Sequence, residues 1–250
     1  MNSLRVSFYL FALAFLLFST ACKSADDTFI DHSYKHGNPL NAPVFDAFCE
    51  NTWEFSLLAY IECADIYLYG GMNNQGMLLY HRGVISIFEE WMGPCHRGIL
   101  PQLRYDYFNC DENKSLAVIL HVGSGTETSL QDLHILSKSG DGYFEIINSL
   151  FSSDVKNWFS IPMETVASEC NQGFFFIFND NRYFIESVDV DSFISVIYGQ
   201  IVNFAFENNY IKVTIGIGAI YEYALGRPLF FGRINASLTF ISHEVVFLIK

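Results

Sequence analysis

The residues of this 250-residue chain that could carry chemistry are its cysteines, its histidines and a few carboxylates. Four cysteines, Cys49, Cys63, Cys95 and Cys110, fall within one short region and are disulfide candidates for an oxidising compartment; three pairings of them are possible. Cys49 and Cys63 lie fourteen residues apart, which on one straight helix is about 21 Å of rise. A disulfide needs Cα atoms within about 7 Å. If that segment is helical, Cys49 and Cys63 cannot pair with each other; of the two pairings that remain, the nested one, Cys49–Cys110 with Cys63–Cys95, is the expectation, and Cys170 is left as an odd, buried thiol. Cys95-His96 with Cys110 and His81 offers zinc-type atoms but lacks the close paired spacing of zinc sites, so disulfides are the better reading. Glu89-Glu90-Trp91 could set a glycosidase carboxylate beside a sugar platform. Adjacent helical residues diverge by about 100°, which favours a solvated edge with one buried tryptophan. His121 ahead of Gly123-Ser124-Gly125 hints at a nucleophile turn, but the G-x-S-x-G elbow is absent. His134 and His243 have no partner identifiable in the sequence. No catalytic residue or cofactor is assigned.

The elements that would position these residues give an α+β expectation. Asp46–Tyr69 has helical spacing at Leu57, Tyr60, Ile61, Ala64 and Leu68. Leu78–Trp91 reads as a second helix interrupted at Gly83, or as strand plus helix. These segments predict an N-terminal, disulfide-stapled helical lobe over 44–114. From Ser115 the pattern changes. Leu116–Val122 is a buried-strand run, Thr126–Ser139 fits a capped helix, and Tyr143–Phe159 fits another. Phe174–Phe178 and Tyr183–Ile185 flank Asn179-Asp180-Asn181-Arg182, a hairpin signal. Asp191–Glu207 reads as a helix. Tyr210–Tyr221, Leu229–Phe231 and Val245–Ile249 read as strands. The expectation for 115–250 is a mixed β-sheet with helices packed on one face.

The N-terminus predicts export. A single cation, Arg5, precedes the apolar run Val6–Phe18, then the small residues Ser19-Thr20-Ala21 and Cys22. That is signal-peptide order, and the run is short of the ~20 apolar residues of a membrane span. Ser-Thr-Ala-Cys resembles the lipobox of bacterial lipoproteins, which implies a signal peptide over 1–21 and a lipidated Cys22. In the resemblance, Lys23 after the cysteine points to the outer membrane. Ser19 stands where the family has leucine, so ordinary cleavage after Ala21, and secretion, is the alternative. Residues 22–43 are polar, contain His32 and His36, and read as a flexible tether.

The order of elements from 115 to 250 resembles the catalytic core of class III nucleotidyl cyclases. Phe178-Asn179-Asp180-Asn181 stands where that family has a metal-binding aspartate at a hairpin turn. Lys212–Gly218 is similar to its glycine-bearing strand, and Phe230-Phe231-Gly232 to the segment leading into its nucleotide-contacting helix. The resemblance implies a metal at Asp180. It departs from the family at His121, which stands in place of the first aspartate, and at Thr239, which stands where an arginine belongs. It therefore implies a nucleotide-binding or cyclase-like relative that is degenerate.

Net charge is −13, with only 14 lysines and arginines against 27 acids. Such a surface argues against nucleic acid and anionic membranes and suits a basic protein partner. The expectation is an exported, lipid-anchored, non-catalytic envelope protein that binds a protein partner, of immunity type, and touches the membrane through its N-terminal lipid.

Overall fold

The computed structural model describes residues 35, 42–43, 55–71, 76–91, 99–108, 114–125, 128–157, 173–178, 181–186, 193–207, 210–222, 228–241 and 244–249. All belong to one compact unit, His32–Lys250.

These residues are almost entirely β. A four-stranded antiparallel meander is formed by β1 (Phe55–Ile61), β2 (Ile66–Gly71), β3 (Met77–His81) and β4 (Val84–Phe88). A larger sheet contains β5 (Gln102–Asp106), β6 (Ser115–Gly125), β7 (Thr128–Lys138), β8 (Phe144–Leu150), β11 (Phe193–Glu207), β12 (Tyr210–Tyr221), β13 (Pro228–Ile241) and β14 (Glu244–Ile249). A separate hairpin pairs β9 (Gly173–Phe178) with β10 (Asn181–Glu186).

The strand β7 is a fork. It pairs with β6 along one edge. Along the other, Leu133–Lys138 pair with β8 while Ser129 and Leu130 pair in parallel with Ile201 and Val202 of β11. The result is two layers of side chains, one on each face of β6 and β7. One core sets Leu58, Ile61, Leu68 and Leu79 of the meander against Leu116, Val118, Leu120 and Leu136. The other sets Ala117, Ile119, Leu133 and Ile135 against Val202, Phe204, Val213 and Leu238. Alternate residues of β6 thus enter opposite cores, as the two-residue strand period requires. A strand buried on both faces reads as an unbroken apolar run. The run Leu116–Val122 was legible for that reason.

The expected α+β class is not found. No α-helix occurs among the described residues; the helical turns there are 3-10, Glu62–Ala64 and Ser152–Asn157. The segments expected as helices, within 46–69, 126–139, 143–159 and 191–207, and 78–91, expected as helix or as strand plus helix, are strands with short turns and links wherever they are described. The physical reason is the two-sided burial. In β2, Ile66 and Leu68 face the first core while Tyr67 and Tyr69 join Tyr60 and Leu78 in a tyrosine-rich cluster on the other face. When both faces are apolar, the run contains helical and strand spacings alike. With these helices gone, the strand-and-helix order on which the cyclase resemblance rested is gone as well.

The disulfide-stapled helical lobe is likewise a β-meander. Cys63 sits exposed on the Glu62–Ala64 turn, and Cys49, Cys95, Cys110 and Cys170 lie outside the described residues. Residues 55–61 are a strand, so the helical argument against pairing Cys49 with Cys63 lapses and all three connectivities stay open. Cys22 and Asp180 also lie outside the described residues. Parts of the stretch read as a tether meet the meander. Lys35 exchanges backbone hydrogen bonds with Tyr60 (2.8 and 3.1 Å), and the Tyr69 hydroxyl donates to the Pro43 carbonyl at 2.8 Å.

Candidate functional site

A cavity of about 490 Å³ lies between the meander and the β6–β8 layer. Its wall begins where β4 ends. The Trp91 amide donates to the Phe88 carbonyl at 3.3 Å, a turn that folds the indole back on the Phe88 ring (centroids 4.1 Å apart, planes at 11°). The other indole face stacks on the His134 imidazole at 4.6 Å, and Phe151 meets that imidazole edge-on at 5.6 Å. Leu120 and Val122 of β6, Ile146 of β8 and Phe151 complete the apolar lining. Among the described residues, Glu89, Glu90, Asp132 and His134 are its ionisable members.

Strand geometry puts Asp132 and His134 side by side, since residues two apart on β7 share a face. Each is held by a different serine. The Asp132 Oδ1 oxygen accepts hydrogen bonds from the Ser152 amide (2.7 Å) and hydroxyl (2.8 Å), and neither bond uses Oδ2. Burial pushes the Asp132 carboxyl above its ordinary range, and the two Ser152 donors oppose that rise. His134 is 2% exposed, and its Nδ1 is 2.8 Å from the Ser149 hydroxyl. Burial lowers its pKa from 6.5 to about 4, so the ring is neutral at pH 7. The two serine contacts do not join into an acid–base–nucleophile chain of the kind hydrolases use. The arrangement is suited to holding a molecule, with an apolar chamber and a few fixed polar groups.

The sequence-read candidates are mostly elsewhere. Glu89 and Glu90 are exposed and Trp91 is 4% exposed, as a solvated edge beside a buried tryptophan predicts, although the segment is a turn and not a helix. His81 is buried against Phe144 (5.3 Å) with its Nδ1 lacking a hydrogen-bond partner; burial, then Lys138 and Arg82, lower its pKa. His121 Nε2 and Ser124 Oγ are buried without hydrogen-bond partners, and neither residue lines the cavity. His32, His36, His96 and His243 lie outside the described residues. Asp132 and the role of His134 were missed by sequence reasoning. The signal was present as Asp-x-His inside an apolar stretch, but reading Thr126–Ser139 as a helix put the two residues on different faces.

Comparison with known proteins adds no relative: no family model matches the chain, and no curated protein or solved structure is significantly similar to it.

Proposed function

We propose that the protein is an exported, lipid-anchored binding protein of the cell envelope that holds a small ligand between its meander and the β6–β8 layer. The supporting observation is the cavity of about 490 Å³, which falls within the ~300–1,000 Å³ range of small-molecule sites and combines apolar walls with a few convergent polar groups. Export and the anchor rest on the Arg5-to-Cys22 signal pattern. A basic protein docked by charge is the second reading, favoured by the net charge of −13.

A thermal-shift screen of small molecules on the purified protein tests the first reading. Compounds that raise Tm in the wild type are expected to lose that effect in Val122→Phe, which fills the chamber, and in Ile146→Trp, which crowds its lip. Stabilisation that survives both substitutions would place the ligand elsewhere. If no compound acts while a basic protein binds in a salt-sensitive way, the second reading replaces the first. The anchor is tested by labelling cells with radioactive palmitate: label on the wild type and none on Cys22→Ala is expected, and equal label on both would remove it.

A further inference from the structure

The small-ligand reading leaves open which chemistry the chamber selects, and its walls bear on that. Among the described residues, the ionisable side chains lining it are three carboxylates, Glu89, Glu90 and Asp132, together with His134, and no lysine or arginine is among them. An anionic ligand would meet repulsion from the lip inward. The aromatic wall cannot meet a positive charge through the indole, because both faces of Trp91 are covered, one by Phe88 and one by His134. The group placed to meet charge is Asp132. Ser152 binds its Oδ1 twice and so fixes a carboxylate that lines the cavity, and neither of these bonds uses Oδ2. Beyond it, Ile146 and Phe151, each 43% exposed, extend the apolar surface from the chamber to its rim.

We propose that the chamber takes an organic cation with an apolar body, a hydrophobic primary amine, whose ammonium group donates to Asp132 Oδ2 while its hydrocarbon lies along Val122, Ile146 and Phe151. This rests on the small-ligand reading above. Glu89 and Glu90, exposed at the rim, draw the cation in without desolvation.

Calorimetric titration of the purified protein with 2-phenylethylamine, 2-phenylethanol and phenylacetate tests this, because the three share one body and differ in charge. The amine is expected to bind about ten-fold or more tighter than the alcohol, the yield of one charge-assisted hydrogen bond, and phenylacetate weakest. Asp132→Asn keeps an acceptor for both Ser152 donors. It is expected to bring the amine to within about two-fold of the alcohol and leave the alcohol unchanged. Glu89→Gln with Glu90→Gln alters exposed residues only, so it tests charge without risk to folding; it is expected to weaken the amine a few-fold and flatten its salt dependence. An alcohol that binds as tightly as the amine, or a tighter phenylacetate, overturns the cation assignment and leaves the small-ligand reading in place. No heat from any of the three, together with a thermal-shift screen in which wild type and Val122→Phe respond alike, overturns both.

Discussion

His134 is the residue in which burial has the largest chemical consequence. Its imidazole is packed between Trp91 and Phe151 and stays neutral down to about pH 4, whereas an exposed histidine takes a proton near 6.5. Between those values the unfolded chain binds a proton that the folded chain refuses. The stabilisation is fully present above pH 6.5 and is lost as pH falls towards 4. A shift of that size corresponds to about 3 kcal/mol. His81 and His121 are lowered by burial too and act in the same direction. The expected result is that urea midpoints of His134→Gln fall less steeply than those of the wild type between pH 6.5 and 4. Parallel curves for the two proteins would show that the ring is protonated in the folded state. The same burial explains why His134 could not be recognised beforehand: its neighbours Trp91 and Phe151 come from different strand ends, and nothing in the local sequence joins them.

At the scale of the element, β11 carries the most constrained position. Gly199 lies in an irregular stretch between Tyr198 and Val202 with φ at +89°, and a Cβ there would sit 2.3 Å from Val155 Cγ1. Gly199→Ala therefore meets both a left-handed backbone cost and a clash, and a loss of roughly 2–4 kcal/mol is expected by denaturant titration. Adding Val155→Ala should relieve only the clash, so a double variant as stable as Val155→Ala alone would show that the backbone at 199 is not strained. Glycine also marks where sequence reading stopped short. The turn joining β3 to β4 is Arg82-Gly83, with φ at +49° and +87°, the two-positive-φ hairpin turn that Asn-Gly or Asp-Gly usually announces. Arginine hid it, and Leu78–Trp91 was read as an interrupted helix or as strand plus helix. The hairpin flanking Asn179-Asp180 and the strand Tyr210–Tyr221 were legible because turn chemistry and β-branched alternation agreed. The region 191–207 was not, although its valines, isoleucines and phenylalanines favour strand over helix. Of the cavity, only the Glu89-Glu90-Trp91 edge was visible from sequence.

At the scale of the whole molecule, β7 sends Leu136 into one core and Leu133 into the other, both fully buried. Leu133→Ala and Leu136→Ala are each expected to cost about 2–5 kcal/mol. Because one strand serves both cores, each variant should shift tryptophan fluorescence and far-ultraviolet dichroism to the same new midpoint. Separate midpoints would mean that the two cores melt independently. The fork in β7 has a further consequence, for the order in which the chain can finish folding. Strands β6, β7 and β8 are neighbours in sequence and can zip locally, but the Ser129 hydroxyl must wait for Asn203, 74 residues later, before it can donate its 2.7 Å hydrogen bond to the Asn203 Oδ1. At roughly 5–20 residues per second of synthesis, that wait lasts several seconds. Through it Ile119, Leu133 and Ile135 have no second layer over them, so the half-made protein passes through a sticky adolescence that the finished one conceals.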